Sequence, residues 1–285
     1  MPSSDGIFWL ASYPKSGNTW FRIVLANVLK PSDAPIDINR ITTGAIASSR
    51  EWVDEILGFD SGDLSHEEMD ALRPAVYAWH ALNQPEVGYH KIHDAYLDVA
   101  PNKPLIPKIG CLGAIYIVRN PLDVAVSLAN HSSCSIDKAI DYLNQADFVF
   151  CKSRHRQDKQ LRQMLLSWSM HVYSWVNAHD VSKLVLRYED MMNDPWDSFS
   201  RAMQFLKIPV ADAVLEQAIE HAKMDKLQAM EQESGFREKP ANVARFFRKG
   251  IVGDWRNVLT KEQAQRIIVA HKDTMGLFGY LDEAF

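Results

Sequence analysis

The sequence predicts a single α/β domain spanning residues 1–285, with a central parallel β-sheet flanked by helices. Short apolar runs typical of buried strands alternate with segments whose apolar residues recur every three or four positions, as in helices. The 285 residues, 47% hydrophobic and 24% charged, are enough to bury a large core. No internal repeat, low-complexity tract or linker divides the chain.

Three apolar runs are predicted strands: Ile7–Ser12, Gly113–Pro121 and Lys183–Met191. Helical spacing predicts helices over the segments 18–29, 51–57, 65–71, 121–130, 158–178, 194–206, 211–223 and 261–275. Ser65 and Glu68 form a capping-box signature, and Asn120 with Pro121 is typical of a helix start. The rest of segment 36–90 is weakly patterned.

The composition argues against several classes of partner. The net charge of -5 and the pI near 6.1 disfavour a nucleic-acid-binding protein, which would carry a basic domain. No apolar stretch approaches the length of a membrane span, and the first residues lack the basic region of a secretory signal. The three cysteines have no C-x-x-C spacing, so we expect all three to be ordinary reduced residues. We therefore expect a cytoplasmic protein with no nucleic-acid or membrane partner.

The segment "YPKSGNTW", residues 13–20, lies where the first strand becomes the first helix. A helix N-terminus presents unpaired N–H groups to an anion, Gly17 permits close approach of the backbone, and Lys15 adds positive charge. The ordinary P-loop places its lysine after the last glycine, whereas Lys15 precedes Gly17. The order of features favours a phosphate-binding loop of a different kind over a simple proline-marked turn.

Two further segments are compatible with anion binding. "YIVRNPLDVAVS", residues 116–127, repeats the strand, turn and helix, and Arg119 leaves the strand end. Taken alone, Arg119 is equally compatible with an ion pair to Asp123. "FFRKGIVGDW", residues 246–255, places two cations before a glycine and is by itself more typical of a solvated turn.

The three segments together resemble, in order and separation, the signature segments of the sulfotransferase superfamily, and are most similar to the soluble cytosolic type. Bacterial tailoring sulfotransferases have a similar size. The resemblance implies transfer of a sulfuryl group from 3′-phosphoadenosine 5′-phosphosulfate (PAPS) to a hydroxyl or amine of a small molecule or natural product, leaving adenosine 3′,5′-bisphosphate (PAP). It also makes the first segment a P-loop-like phosphosulfate-binding loop.

The resemblance also assigns nucleotide contacts. The 5′-phosphosulfate would be held by Lys15, Ser16, Gly17, Asn18 and Thr19, with Trp20 on the adenine. The 3′-phosphate would be held by Arg119, Ser127, Arg248, Lys249 and Gly250. Tyr188 in "LRYED" matches a tyrosine that contacts the nucleotide. Ala222 and Met224 replace the hydroxyl and aromatic residues that the family commonly has beside the adenine.

The catalytic base is expected to be a histidine in "GYHKIHDAY", residues 88–96, which contains His90 and His93. The family's Lys-x-His pattern selects Lys91 and His93. A hydroxyl that attacks sulfur must lose its proton, and histidine titrates in a suitable range. Lys15 and Lys91 would act beside the transferring group. We find no metal-ligand cluster in the sequence.

Two alternatives stay open. A P-loop kinase or hydrolase would require the Walker order and acidic Mg²⁺ ligands. A non-catalytic nucleotide-binding protein would not need the Lys91 and His93 pair. The residues do not identify the acceptor, although segment 36–90 and the basic stretch 151–163 are candidates for shaping its site.

Overall fold

The computed structural model describes residues 6–152 and 159–282. The strands are β1 (Ile7–Ser12), β2 (Gly88–Ile92), β3 (Asp98–Ala100), β4 (Lys103–Pro104), β5 (Cys111–Val118), β6 (Val149–Phe150), β7 (Gln163–Met164) and β8 (Lys183–Arg187). The helices are α1 (Asn18–Leu29), α2 (Arg50–Leu57), α3 (His66–Asn83), α4 (Pro121–Ser132), α5 (Ile136–Asn144), α6 (Trp168–Val176), α7 (Tyr188–Asn193), α8 (Pro195–Phe205), α9 (Asp212–His221), α10 (Met224–Ser234) and α11 (Lys261–Leu277).

Four strands form the main sheet, in the order β2-β1-β5-β8. β1 and β2 are parallel, with Ile7 opposite Gly88 and Leu10 opposite Lys91. Every residue of β1 is buried, as expected for an inner strand of a parallel sheet. Two small antiparallel pairs, β3-β4 and β6-β7, lie outside this sheet. The α/β class and the central parallel sheet predicted from the sequence are confirmed.

The chain forms two compact units, each built from several segments. Unit one contains the described residues up to Tyr13, Gly44–Tyr116 and the described part of Gln145–Val185. It therefore holds the main sheet except for the last two residues of β5 and of β8. The prediction of one domain over the whole chain stays a prediction.

The core of unit one is rich in aromatic residues. Trp9 of β1 packs against Tyr77 of α3, with ring centroids 5.1 Å apart. Tyr116 of β5 stacks on Trp175 of α6, at 5.7 Å and 15° between ring planes. Large aromatic side chains contribute much of the apolar area that a core buries, so these contacts join α3 and α6 to the sheet residues of this unit.

Unit two contains Pro14–Thr43, Ile117–Asn144 and the described residues from Leu186 onward. Its core includes a stacked pair, Phe21 of α1 and Phe199 of α8, with centroids 5.5 Å apart. Asn120 caps α4 by accepting a hydrogen bond from the Leu122 N–H, and Pro121 occupies the first helical turn, as predicted.

Several predicted boundaries were wrong. The helix predicted over 158–178 begins only at Trp168 in the structure, and residue 158 of that prediction lies outside the described residues, as do residues 153–158 of the basic stretch 151–163. The main chain of 159–164 instead pairs with other segments of unit one, for example Leu161 N–H with the Ser48 carbonyl at 2.7 Å. The strand predicted to reach Met191 ends at Arg187, because α7 begins at Tyr188.

The helix predicted over 65–71 continues to Asn83, through Pro74. A proline inside a helix costs about 3 kcal/mol, which burial of Met69, Val76 and Tyr77 of the same helix in the core of unit one opposes. Strand β2 and the helices α5 and α10 were not predicted. Among the described residues, no helix combines the length and apolarity needed to cross a bilayer.

Candidate active site

The loop between β1 and α1 has an unusual backbone. Lys15 and Gly17 both adopt positive φ angles, 71° and 101°, and Gly17 is the N-terminal cap of α1 without a side chain to bond its N–H groups. The first turn of α1 contains no acidic residue. Ser16 is fully buried, and its Oγ has no hydrogen-bond partner. This loop therefore offers main-chain donors and an unsatisfied hydroxyl to an anionic ligand.

Gly17 is required by its surroundings as well as by its φ angle. A Cβ atom at this position would lie 2.5 Å from Cδ2 of Tyr188, a distance that real Cβ atoms essentially never show. Tyr188 is buried at the start of α7, where burial raises the pKa of its hydroxyl. The loop backbone and the tyrosine ring thus pack directly against each other.

Arg119 connects the three motifs. Its Nη1 donates to the Lys15 carbonyl at 3.1 Å and its Nη2 to the Ile251 carbonyl at 3.3 Å. Its guanidinium carbon lies 4.3 Å from the centroid of the Tyr188 ring. Its Nε is buried without a hydrogen-bond partner. Segments about a hundred residues apart in sequence therefore meet at this side chain.

The alternative of an ion pair between Arg119 and Asp123 does not apply. Asp123 instead accepts hydrogen bonds from the N–H groups of Gly253 at 2.7 Å and Trp255 at 3.0 Å. Over residues 6–152 and 159–282, no ion pair joins Asp123 to Arg119. Asp123 thus holds the third motif against the start of α4.

Arg248 and Lys249 are held together by one carboxylate. Arg248 Nη2 lies 2.8 Å and Lys249 Nζ 2.7 Å from the two oxygens of Asp254. Burial opposes ionisation of Asp254, but the hydrogen bonds from Lys249 and Arg248 outweigh it and lower its pKa. Two cations thereby converge on the same part of the glycine-rich loop. Lys15 lies over the ring of Phe246 in that segment, with Nζ 4.2 Å from the centroid.

The two residues that depart from the family pattern contact predicted nucleotide residues. Trp20 Nε1 donates to the Ala222 carbonyl at 3.0 Å. A Cβ on Gly250 would lie 2.3 Å from Cε of Met224, so the methionine packs closely on this glycine. Met224 therefore occupies space beside the predicted ligand residues in place of an aromatic ring.

Ser127 is half-buried on α4 and is not joined to the other predicted phosphate residues by any hydrogen bond of the described chain. Glu189, which was not among the predicted site residues, is buried and accepts hydrogen bonds from the Asn120 N–H and the Tyr280 hydroxyl, each at 2.9 Å. Burial raises the pKa of Glu189. Its only signal in the sequence was its position directly after Tyr188, a predicted nucleotide contact.

His93 directly follows β2 in unit one. Its Nδ1 lies 2.8 Å from the Ser12 carbonyl oxygen, which only accepts hydrogen bonds. Nδ1 must therefore carry the proton of the neutral ring, which makes Nε2 the basic nitrogen. Lys91 lies on β2, opposite Leu10.

His90 differs from His93 in its surroundings. It is only 3% exposed, its Nδ1 lies 3.0 Å from the Ala45 carbonyl oxygen, and its ring stacks on Trp52 at 4.8 Å. A Cβ on Gly44 would lie 2.4 Å from this ring. His90 thus has the contacts of a core residue.

A model of the family described as "Sulfotransferase domain" matches residues 5–279. The chain therefore belongs to the sulfotransferase family, and the resemblance and enzyme class predicted from its motifs are confirmed. The predicted cosubstrate agrees with this membership.

Two curated relatives align with most of the chain. Cytosolic sulfotransferase 17 of Arabidopsis thaliana is 25% identical over 273 residues, covering 91% of this chain and 71% of the relative. Sulfotransferase 2B1 of Mus musculus is 24% identical, covering 95% of this chain and 71% of the relative.

Solved structures share the fold. Mouse sulfotransferase SULT7A1 complexed with PAP superimposes with a TM-score of 0.61 at 21% identity, over 95% of this chain and 84% of that one. Retinol dehydratase in a complex with retinol and PAP gives 0.62 at 21% identity, over 96% and 82%.

Proposed function

We propose that this sulfotransferase transfers the sulfuryl group of PAPS to a hydroxyl group of a small-molecule acceptor in the cytoplasm, with an amine as the second acceptor class. The observation that carries the proposal is Arg119, which bonds the Lys15 and Ile251 carbonyls and lies over Tyr188. This one contact set joins the three motifs that define a nucleotide site in the family. The names of the cytosolic relatives support the assignment to the cytoplasm.

The residues of unit two fit an anionic nucleotide. Ser16 Oγ and Arg119 Nε are buried donors without partners, and a buried unsatisfied donor costs about 1–3 kcal/mol. An anionic ligand that accepts from them would recover this cost. Gly17 has no Cβ that would obstruct a ligand, and the first turn of α1 has no acidic residue that would repel an anion. The main-chain donors of this loop can therefore bind a negatively charged group.

The nucleotide roles follow the motif residues. Lys15 and the loop through Thr19 would bind the 5′-phosphosulfate, and Trp20 and Tyr188 would contact the nucleoside. The 3′-phosphate would be bound by Arg119, Ser127, Arg248, Lys249 and Gly250. Of these assignments, Ser127 has little support, since no hydrogen bond within the described residues links it to the others.

When bound, PAPS supplies an activated sulfuryl group, and PAP is the product left after its transfer. His93 Nε2 would accept the proton that the acceptor hydroxyl loses as its oxygen bonds to sulfur. The bond from Nδ1–H to the Ser12 carbonyl holds His93 in the tautomer that this task requires. Lys15 and Lys91 would stabilise negative charge that develops on oxygen during transfer.

The first test is a thermal-shift titration with PAP, ATP and 5′-AMP, without and with magnesium. A ligand that binds the folded state raises the unfolding temperature by mass action. Stabilisation by PAP without magnesium, at concentrations where 5′-AMP has little effect, is the expected result. A response restricted to ATP with magnesium would instead favour a kinase or hydrolase.

The second test measures turnover of PAPS with a panel of phenols, alcohols and amines, using the wild type and His93→Ala. The variant is expected to lose transfer while its thermal response to PAP stays near that of the wild type. His90→Ala is unsuitable as a control because His90 is a core residue; His66→Ala, on an exposed helix start, is the matched histidine variant. Retained activity in His93→Ala would refute the base assignment.

A further inference from the structure

We infer that Asp94, held by Arg73 of α3, is a positioning residue that orients His93 for proton transfer. The inference rests on the proposed function, because it gives His93 the role of base. Asp94 directly follows His93, and both are in unit one. Neither Asp94 nor Arg73 was among the predicted site residues.

The carboxylate of Asp94 is fixed on both oxygens. Arg73 Nη1 lies 3.1 Å from Oδ1 and Nη2 2.7 Å from Oδ2, the bidentate geometry of a strong arginine–carboxylate pair. The Met164 N–H also donates to Oδ1 at 3.0 Å. Both side chains of the ion pair are completely buried.

The main chain around Asp94 is fixed as well. His171 Nε2 donates to the His93 carbonyl at 3.0 Å, and Trp175 Nε1 donates to the Asp94 carbonyl at 3.0 Å. The Ala95 N–H donates to the Met164 carbonyl at 2.7 Å. α3 and α6 thus supply side chains that hold the two residues from several directions.

His171 is itself held in the required tautomer. It donates from Nε2 to the His93 carbonyl, so in the neutral ring Nδ1 accepts from the Tyr116 hydroxyl, 3.0 Å away. The ring is buried, so His171 functions here as a neutral donor and not as a second base. The Tyr116 hydroxyl, the His171 ring and the His93 carbonyl therefore form one continuous chain of hydrogen bonds.

A fully buried ion pair is weak evidence for a stabilising role, since apolar residues of similar size often stabilise a core as well or better. The Arg73 and Asp94 pair instead fixes the orientation of the Asp94 side chain and backbone. A carboxylate held by a bidentate guanidinium cannot rotate, and it fixes the backbone of the residue that follows the base. His93 Nδ1 is bonded to Ser12 at the same time, so ring and main chain are oriented independently.

The same cluster contains a matched control. Asp70 of α3 is 3% exposed and lies 3.4 Å from Arg73 Nη1, and it also pairs with Arg162. Asp70→Asn and Asp94→Asn each remove one buried negative charge beside Arg73. Only Asp94 is joined to the segment of the predicted base.

The experiment compares kcat, the KM for PAPS and the thermal response to PAP for the wild type and both variants, below their unfolding temperatures. We expect Asp94→Asn to lower kcat by about ten- to a hundredfold, because a misplaced catalytic group costs up to about a hundredfold. Its KM for PAPS and its response to PAP should stay near wild type. Asp70→Asn should keep kcat within about twofold of the wild type, even where it loses as much stability as Asp94→Asn.

If Asp94→Asn does not fold, Trp175→Phe replaces it, because this change removes the donor to the Asp94 carbonyl and keeps an aromatic ring against Tyr116. Trp175 is fully buried, so the smaller ring also leaves a cavity, and thermal unfolding measures the resulting loss of stability. A several-fold fall in kcat at constant KM is then expected. The inference is overturned if the variant tested keeps the kcat of Asp70→Asn, or if both aspartate variants lose kcat in proportion to stability.

Failure of the proposed function would show differently. In that case the wild type would not turn over PAPS, or His93→Ala would keep its activity. An active wild type, an inactive His93→Ala and an unaffected Asp94→Asn together would refute only the positioning role.

Discussion

Replacing Gly17 with alanine tests the packing of the loop after β1. The change adds one methyl group at a residue with φ of 101°, where the new Cβ would lie 2.5 Å from Tyr188 Cδ2. Either the loop or the tyrosine ring must therefore move. Both are predicted to contact the nucleotide, so we expect losses of stability and of nucleotide affinity together.

The magnitude has two parts. A non-glycine residue in the left-handed region costs roughly 1–2 kcal/mol. Overpacking a well-packed site by one carbon typically costs about 1–3 kcal/mol more. Gly17→Ala should therefore lower the free energy of unfolding by about 2–5 kcal/mol in total. A shift of the loop that loses about 1.4 kcal/mol of binding free energy would weaken PAP about tenfold.

Gly58→Ala is the matched control, because Gly58 has a similar backbone conformation, with φ of 76° and ψ of 13°, and nothing within 4 Å of its missing Cβ. Thermal unfolding followed by tryptophan fluorescence gives the stability of each variant, and titration with PAP gives its affinity. In the background of Tyr188→Ala, the second change at Gly17 should cost no more than Gly58→Ala. If Gly17→Ala costs no more than Gly58→Ala in the wild-type background, the reasoning about the contact is wrong.

Three further outcomes are expected. Arg248→Ala should weaken PAP much more than 5′-AMP, measured by the same thermal titration; equal losses would contradict its role at the 3′-phosphate. Lys15→Ala should lower both PAP affinity and turnover, and unchanged binding would refute the phosphate-loop interpretation. Burial lowers the pKa of His171 to about 4, so between its ordinary 6.5 and 4 the unfolded chain binds a proton that the folded chain does not. Stability is therefore lost as pH falls through that window, by about 3 kcal/mol from this group. His171→Phe should show a shallower decline of the unfolding temperature over the same range, and an unchanged slope would mean that His171 is protonated in the folded state.

Local signals in the sequence were sufficient where the chain's own neighbours decide the conformation. β1 and α1 have the predicted bounds, Ile7–Ser12 and Asn18–Leu29, because a continuous apolar run and a three-and-four spacing each specify one element. The start of α4 followed from Asn120 and Pro121, whose preferences are those of the cap itself. The family was also identified from local signals, because each of its three motifs is a short continuous stretch of the sequence.

The elements that were missed depend on distant partners. β2, Gly88–Ile92, contains two polar residues and lies at the edge of the sheet, so no apolar run marks it, and pairing with β1 makes it a strand. Segment 159–167 has a helical pattern, yet its N–H and carbonyl groups bond to Ser48, Arg50 and Ala95. α3 passes through Pro74 because tertiary contacts outweigh the local cost.

The sequence by itself determined the class of protein, the parallel sheet and which residue types are available for an anionic nucleotide and a proton acceptor. Only the tertiary structure decided that Arg119 bonds Lys15 and Ile251, that Asp254 holds Arg248 and Lys249, and that a buried Arg73 fixes Asp94 beside His93. Motifs are local patterns that composition and spacing reveal. Hydrogen bonds and ion pairs between residues far apart in sequence depend on distances that exist only once the chain has folded.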